Sequence, residues 1–392
     1  MNFLSQGFPA NALVDPNTPI LYSIDPRLRT PYAQQWHLGV QYQLPSNTVF
    51  EIAYAGSRGL KLFTFFNGNQ AVPATDPRFV TDCTTGGNTL ANCPTAFRRP
   101  VSGCDFSVTP PDCSADAAGI FDTSIATFRS NGFSNYHSLQ ARLEKRVTHG
   151  LQFQFSYTYS HALDDASSAS LGSTNNGDFR DQRFPRLEYG NSDFDVRHRF
   201  VASYIYDLPL GNGKRFGGGA SGVTNQLIGN WQLAGIVTAS TGNHYTVSDT
   251  TGSLTFATVD CGGTVAFNCT LPNVIANPNG KPCMPGTLFN TCAFVTDTVV
   301  GTYGNERRNQ VLGPGLQTWD LSLFKNFPIR EQMRVEFRAE FFNVWNHVNP
   351  LFNHIGAISE EPTPLELGTP QFGQAISARD PRFIQFALKF YF

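Results

Sequence analysis

Hydrophobic and polar residues alternate along much of this chain with a period of two. The segment LQFQFSYTYS, residues 151–160, places Leu, Phe and Tyr at odd positions and Gln, Ser and Thr at even positions. This alternation predicts β-strands that have one apolar and one polar face. Nine segments show the pattern: 34–43, 48–56, 136–147, 151–160, 197–209, 230–241, 317–327, 332–345 and 382–392.

The connections between the predicted strands alternate between short and long. The short ones are 45–47, 148–150 and about 328–331, the long ones are about 57–135, 161–196, 242–316 and 346–381, and a medium one at 209–229 takes the place of a short turn. In an antiparallel meander every second connection lies at the same end, so the long loops gather at one end. Outer-membrane barrels have short periplasmic turns and long extracellular loops. We therefore expect Pro45–Asn47 and Thr148–Gly150 to be periplasmic, and loops 57–135 and 242–316 to be extracellular.

The two faces of each strand have different chemistry. In RVEFRAEFF, residues 334–342, one face carries the charges Arg334, Glu336, Arg338 and Glu340, and the other carries Val335, Phe337, Ala339 and Phe341. In a transmembrane barrel the apolar face contacts lipid and the polar face lines the lumen. We expect the charged row to form ion pairs along the lumen wall, with a substrate track as the alternative. Aromatic girdles are expected from Trp36, Tyr159, Tyr204, Tyr206, Trp231, Trp319 and Trp345.

Composition favours a strand-rich, all-β protein with alternating apolar and polar residues over a cytosolic globule. Charged residues make up 15% of the chain and aromatic residues 13%, whereas soluble proteins average about 25% charged residues. The net charge of −2 gives no indication of a nucleic-acid partner. No apolar stretch approaches the roughly 20 residues of a transmembrane helix.

The strand count indicates a portion of a larger barrel. Closed bacterial barrels have an even number of strands, and nine segments are found. We therefore assign residues 1–33 to a preceding loop or N-terminal remnant, and residues 34–392 to the C-terminal part of a barrel. The start of the chain, MNFLSQGFPANALVDP, lacks the basic and apolar regions of a signal peptide. We expect a signal peptide to be absent from this sequence.

Eight cysteines fall into two groups in Gly-, Pro- and Thr-rich segments. They are Cys83, Cys93, Cys104, Cys113, Cys261, Cys269, Cys283 and Cys292. There is no C-x-x-C pair and no histidine at zinc-finger spacing, which argues against a metal site. We expect disulfides in an oxidising compartment rather than free thiols. Pairing between nearest neighbours closes the smallest loops and requires no contact between the groups, but the sequence leaves the connectivity open.

Six ordered blocks of the sequence resemble a known family. They are TPYAQQWHLGVQYQLPSNTVFEIAYAGSRG, SNYHSLQARLEKRVTHGLQFQFSYTYSHALDD, DFDVRHRFVASYIYDLP, NWQLAGIVTASTG, TWDLSLFKNF and RVEFRAEFFNVWNHVNP. From about residue 30 to the end, the chain is similar to the barrel of TonB-dependent outer-membrane transporters, in particular the Oar-like branch. The resemblance implies a barrel of roughly 22 strands around a plug, which the TonB complex pulls through a TonB box. No plug, TonB box or N-terminal carboxypeptidase-regulatory-like domain is visible, so we expect TonB to act only through a missing plug.

The resemblance implies a function in substrate uptake across a Gram-negative outer membrane, without enzymatic chemistry or a cofactor. The expected partners are outer-membrane lipid, the barrel-assembly machinery and an unidentified small-molecule, peptide or glycan substrate, but no nucleic acid. The family's terminal strand is read by the assembly machinery, which assigns that role to Phe386, Leu388, Phe390 and Phe392. Two alternatives stay open, namely a passive porin-like channel and a secreted β-rich adhesin or binding protein whose aromatic faces form a dry core.

Other candidate sites are weaker. PLGNGKRFGGG, residues 209–219, does not have the glycine spacing of a phosphate-binding loop and is interpreted as a flexible periplasmic connection. HALDD (161–165) and NSDFDVRH (191–198) gather carboxylates, but without an EF-hand pattern, so a solvated loop is preferred over a calcium or substrate site. His347 and His354 lack a third ligand, and a polar loop is preferred there. No spacing of residues indicates a nucleophile.

Overall fold

Nine long strands dominate the protein. The computed structural model describes residues 21–77, 98, 125–167, 181, 183–249, 271–330, 333–352 and 365–392. The long strands are β1 (Tyr32–Leu44), β2 (Thr48–Asn67), β3 (Ile125–Thr148), β4 (Leu151–Asp164), β5 (His198–Asp207), β6 (Trp231–Ser240), β7 (Leu316–Pro328), β8 (Arg334–Phe342) and β9 (Phe383–Tyr391). Each overlaps one of the nine predicted segments, which confirms the strand assignment.

The remaining elements are short. The described residues include one α-helix, α1 (Gly222–Ile228), and two 3₁₀ helices, Pro185–Glu188 and Thr291–Ala293. Short strands lie at Leu21–Ile24, Gly190–Asn191, His244–Tyr245, Asn273–Val274, Phe294–Val295, Val311–Leu312, Pro350–Leu351 and Ser377–Ala378. No helix in the described part of the chain has the length and apolar character needed to cross a membrane.

The nine strands form one antiparallel meander in which each strand pairs with its neighbours in sequence. Strands β1 and β9 lie at its two ends, and they do not pair with each other among the described residues. The pairing confirms the predicted up-and-down order. It also leaves both end strands with an edge that is available for hydrogen bonding.

The pairing register places all the apolar rows on one face of the sheet. Phe155 of β4 lies opposite Leu143 and Ala202, whereas its neighbour Gln154 lies opposite Glu144 and Ser203. Side chains of the apolar face stay accessible, including Leu38 at 72% and Leu388 at 71% exposure. The aromatic faces therefore do not form a dry core, which removes the structural basis for the adhesin alternative.

Strands β2 and β3 continue beyond the ends expected from the sequence. Strand β2 continues to Asn67 and β3 begins at Ile125, so their connection spans 68–124 rather than 57–135. The pairing shifts register between Leu60 and Leu62, and Lys61 has φ of +56°. Because a bulge adds one residue, it reverses which side chains face each way. That reversal hid the end of β2 and the beginning of β3 from a search for strict alternation.

The connections at one end of the sheet are compact. His149 and Gly150 join β3 to β4 with φ of +52° and +78°, as in the type I′ turns whose twist suits a hairpin. The longer connection between β5 and β6 contains α1 and is closed by its own hydrogen bonds, including Gly211 N–H to the Phe216 carbonyl at 2.9 Å and Gly229 N–H to the Asn225 carbonyl at 2.9 Å. The structure therefore gives this connection a defined backbone path. The side-chain amide of Gln226 donates outside it, to the Pro328 carbonyl at 3.3 Å.

At the other end, two long loops fold together into what we name the loop module, residues 241–249, 271–315, 343–352 and 365–382. Its apolar core consists of Val247, Phe289, Ala293, Phe294, Val311, Phe352, Leu365 and Phe372. The Phe289 ring makes edge-to-face contacts with Phe352 and Phe372 at centroid distances of 5.9 and 5.4 Å. These residues come from the β6–β7 and the β8–β9 connections. The two loops therefore share one core and are expected to unfold together.

Candidate functional site

The polar face of β8 carries the four charges singled out in the sequence. Arg338 Nε donates to the carboxylate of Glu336, and the Arg338 guanidinium lies 5.3 Å from the ring centre of Phe324. The Arg334 guanidinium lies 4.3 Å from the ring centre of Tyr391. Cation–π contacts of this kind contribute about 0.5–1 kcal/mol at exposed sites. Three of the four side chains are thus held by close neighbours against the polar face of the sheet, which we name the wall.

Glu340 is placed differently, at the edge of a concave pocket of about 450 Å³ on the polar face. Across the strands it lies opposite Ser322 and Gln385, and it has no ion pair within the described residues. Two further carboxylates, Glu144 and Asp320, line the pocket, and Glu144 pairs with Arg142 at 2.7 Å. The other polar lining residues include Gln152, Gln154, Ser203 and Ser322. The wall offers hydrogen-bonding groups and negative charge to a polar solute.

At the end of the sheet where the long loops lie, Arg308 of the loop module connects three segments. Its guanidinium donates to the backbone carbonyls of Asp164 at 2.9 Å and Glu188 at 3.0 Å. It also donates to the Ser167 hydroxyl at 3.0 Å and to the Asp164 carboxylate, and it lies 3.6 Å from the Asp193 carboxylate. Arg308 is only 9% exposed. A buried guanidinium with this many acceptors holds the segments together and serves as a structural joint between them. Removing a charged partner would leave a buried charge unpaired, which is strongly destabilising.

Three of the four carboxylates of HALDD and NSDFDVRH are buried, Asp193 is half-buried, and all four accept hydrogen bonds from protein groups. Asp165 accepts the backbone N–H of Phe133 at 2.9 Å. Asp195 accepts the N–H of Ala162 at 2.7 Å and pairs with Arg197 at 3.1 Å. The preferred interpretation as a solvated loop is therefore wrong. In the parts of the chain that are described, no three His, Cys, Asp or Glu residues are grouped to hold a metal ion.

Burial changes the acidity of several groups in this region. It raises the pKa of Asp165 to about 6, and the nearby charge of Glu188 acts in the same direction. Burial also raises the pKa of Asp193, against hydrogen bonds from Asn309 and Ser167 that lower it. The pKa of Arg308 falls to about 10 because burial disfavours its charged form. The guanidinium still stays charged at neutral pH, so the joint persists there.

Asn309 adds a second connection beside Arg308. Its side-chain amide donates to the Asn191 carbonyl at 2.8 Å and to the Asp193 carboxylate at 2.6 Å, and its own N–H donates to the Thr246 hydroxyl at 2.8 Å. Sequence reasoning missed both Arg308 and Asn309. They lie in ERRNQ, a polar loop segment without periodicity, and only the fold shows which of these side chains turns inward.

Aromatic side chains occupy both ends of the apolar face. Near the loop module, the rings of Trp319 and Trp345 are 6.5 Å apart, and the Tyr157 hydroxyl hydrogen-bonds with His198 Nδ1 at 2.8 Å. The other predicted girdle residues at this end are Trp36 and Tyr159, and those toward the compact turns are Tyr204, Tyr206 and Trp231. Tyrosine and tryptophan favour membrane interfaces because each combines an apolar ring with a polar group.

The remaining sequence-predicted positions are spread over the molecule. Cys283 and Cys292 form a disulfide, whereas Cys83, Cys93, Cys104, Cys113, Cys261 and Cys269 lie outside the described residues. The backbone N–H of His347 donates to the Asn343 side chain, and His354 also lies outside the described residues. On β9, the exposed fractions are 66% for Phe386, 71% for Leu388, 51% for Phe390 and 94% for Phe392. The terminal strand thus presents an accessible aromatic row.

Several solved structures are similar to the chain. The outer membrane transporter YddB from Escherichia coli is 11% identical, with a TM-score of 0.41, over 93% of this chain and 33% of its own. The FrpB iron transporter from Neisseria meningitidis is 11% identical, with a TM-score of 0.38, over 95% of this chain and 32% of its own. The chain spans about a third of the length of these structures.

Sequence comparison gives the family. No protein of curated function matches the chain. A family model described as outer membrane beta barrel domain matches residues 1–385, a range that includes strands β1 to β8 and the beginning of β9. The chain belongs to the outer membrane beta barrel domain family.

Proposed function

We propose that this domain forms part of the wall of a TonB-dependent transporter and serves substrate uptake across the outer membrane. The observation that carries the proposal is the polar face of the sheet with its pocket at Glu340, together with a folded loop module at the long-loop end of the sheet. A wall of amides, hydroxyls and carboxylates suits the passage of a polar solute. A loop module held in place by Arg308 suits selective entry of a solute rather than an open pore. The domain itself supplies no catalytic chemistry in this proposal.

The sequence blocks that resemble the Oar-like branch support the same assignment. Their apolar alternate residues coincide with the exposed face of β1–β9, and their polar alternate residues coincide with the wall. The proposed partners are a TonB complex acting through a plug, the barrel-assembly machinery and a polar substrate. That substrate is a small molecule, a peptide or a glycan, and the choice among them depends on loop residues that have no general code.

The experiment compares active transport with a passive porin-like channel, using the full-length gene product and no assumption about cargo. Purified protein is inserted into planar lipid bilayers bathed in potassium chloride solution, and the ion conductance is measured. Binding of the purified periplasmic domain of TonB is measured in parallel. A transporter is expected to bind TonB and to show no steady ion conductance, because the plug closes the lumen. Steady conductance without TonB binding would support the passive channel.

A further inference from the structure

The helix α1, in the connection between β5 and β6, contacts the apolar face at the compact-turn end, whereas Lys214 of the same connection lines a pocket with the polar-face residues Asp207, Gln232 and Asn326. The indole Nε1–H of Trp231 donates to the carbonyl of Leu227 in α1 at 2.9 Å. The side chain of Gln226 donates to the carbonyl of Pro328 at the end of β7 at 3.3 Å. Trp231 belongs to the apolar rows, since Leu233 two residues later lies opposite Tyr206. The helix therefore lies at the compact-turn end of the apolar face.

A buried lysine fixes the same position. Lys325 occupies an apolar-face site of β7, opposite Trp231 and Phe337, yet it is only 1% exposed. Its amine donates to the Gly229 carbonyl just after α1, and lies 5.4 and 5.0 Å from the ring centres of Trp231 and Phe327. A buried ammonium is costly unless it is hydrogen-bonded. The connection thus covers a charge that would otherwise face the edge of the lipid.

While it covers Lys325, the connection exposes apolar side chains of its own. Val223 and Leu227, which share one side of α1 at i and i+4, are 76% and 63% exposed, and Phe216 is 55% exposed. The next turn adds Ile329 at 54% exposure. Hydrogen bonds within the segment hold its backbone in this arrangement, in which these side chains are exposed. Contact with an apolar environment outside the protein would remove their surface from water.

The charges of the connection have one sign. Between Pro209 and Asn230 the sequence contains Lys214 and Arg215 and no acidic residue. The Arg215 guanidinium lies 5.5 Å from the ring centre of Phe216, so a basic group and an apolar ring are presented side by side. Interfacial segments combine these features, with apolar side chains below the phosphate level and basic groups at it.

We propose that residues 209–229 form a periplasmic anchor that binds the phospholipid surface of the inner leaflet of the outer membrane. The occupant follows from continuity, because the anchor directly extends the lipid-facing rows that end at Trp231 and Phe327. In the bound state Val223, Leu227 and Phe216 enter the boundary between headgroups and acyl chains, and Arg215 pairs with lipid phosphate. The proposal depends on the outer-membrane location and on the expected periplasmic side of the compact turns, and not on TonB-dependent uptake.

The test uses the photo-crosslinking amino acid p-benzoylphenylalanine, placed singly in the full protein in the outer membranes of expressing cells. The anchor positions are Val223 and Leu227. The matched controls are Thr224 and Asn212, which are exposed polar positions of the same connection. After irradiation, mass spectrometry measures adducts of phospholipid mass. We expect several-fold higher lipid adduct yields at the two apolar positions than at either control.

Every variant is first shown to be folded by its heat-modifiable migration, so that lost adducts cannot reflect lost barrels. Equal lipid adducts at all four positions, or none at Val223 and Leu227, overturn the proposal. Protein adducts at Val223 and Leu227 instead of lipid also overturn it, and would identify this surface as a protein contact. As a second measurement, Leu227→Glu should reduce the lipid adduct at Val223, whereas Thr224→Glu should leave it unchanged.

Discussion

Arg308, from the connection between β6 and β7, binds both the carboxylate and the backbone carbonyl of Asp164 at the end of β4. Side-chain exposures of 10% and 7% exclude most water from this pair. The two residues are 144 positions apart in the sequence. Their contact therefore joins the loop module to a separate loop and to the end of β4.

Replacing Arg308 with Ala should weaken the attachment of the loop module to β4 while leaving the barrel inserted. The change leaves Asp164 buried without its cation, and breaking a buried pair costs about 3–5 kcal/mol. Limited proteolysis on intact cells should cleave the long loops of Arg308→Ala much faster than those of the unmodified protein. The exposed neighbour Arg307 gives the control, because Arg307→Ala removes one positive charge from the same segment. Similar cleavage of both variants would show that the contact between Arg308 and Asp164 does not hold the loop module in place.

Asp165 should make the stability of the same region depend on pH. Its pKa is about 6 in the folded protein, against 3.8 as the ordinary value. Between these values the folded loop keeps a proton that the unfolded loop has released, so stability rises as pH falls through about 6. The ionised carboxylate at neutral pH then costs on the order of 1–3 kcal/mol.

Asp165→Asn isolates this contribution, since the amide oxygen can still accept the N–H of Phe133. Burial lowers the pKa of His244, and its protonation in acid opposes the effect of Asp165. The two proteins are therefore compared at each pH by amide hydrogen exchange in residues 183–197. We expect the variant to be more protected at neutral pH and the difference to vanish below about pH 4. A constant difference across the range would contradict the titration of Asp165.

The sequence was sufficient for the sheet because alternation is a local property. In the predicted segment of each strand from β1 to β9, apolar residues recur at every second position. The order of the strands in the sheet follows from short turns such as His149–Gly150. The bulge at Lys61 defeated the same reasoning, because a single added residue reverses the phase. The joint at Arg308 was beyond it, since nothing near Arg308 in the sequence specifies Asp164 as its partner. Buried polar contacts between distant loops depend on the completed fold.

The two faces of β4 allow a paired test of membrane placement. Phe155→Arg should destabilise the folded protein by roughly 2–4 kcal/mol if the site lies near mid-bilayer, because the charge enters lipid. Gln154→Arg, one residue away on the polar face, should have little effect. Denaturant unfolding of the protein in detergent or lipid, followed by tryptophan fluorescence, gives both values. Equal tolerance of the two substitutions would be incompatible with a lipid-facing Phe155.

The cysteines should pair with their nearest neighbours. The structure contains Cys283–Cys292, and the same rule predicts Cys83–Cys93, Cys104–Cys113 and Cys261–Cys269. Small loops lose little chain entropy on closure, and these pairings require no contact between the two cysteine groups. Peptide mapping without reduction should recover the four links. A link between the 83–113 group and the 261–292 group would exclude this arrangement.

The last residue should matter more for insertion than for stability. Ile384, Phe386, Leu388 and Phe390 lie on the apolar face opposite Phe341, Ala339, Phe337 and Val335. Phe392 continues this row past the end of β9 at 94% exposure, and its ring is 6.1 Å from that of Phe390. So exposed a side chain buries little surface against the protein, and its removal should barely change the free energy of unfolding.

An exposed terminal aromatic is, however, available to a receptor before the barrel is complete. We expect deletion of Phe392 from the full-length protein to reduce the amount of folded, heat-modifiable protein in outer-membrane fractions several-fold. The fraction that does insert should unfold at nearly the same denaturant concentration as the unmodified protein. Phe392→Tyr, which keeps an aromatic ring at the terminus, should restore most of the insertion. Normal insertion after the deletion would rule out recognition of Phe392 by the assembly machinery, and an equal loss of stability would assign it a structural role instead.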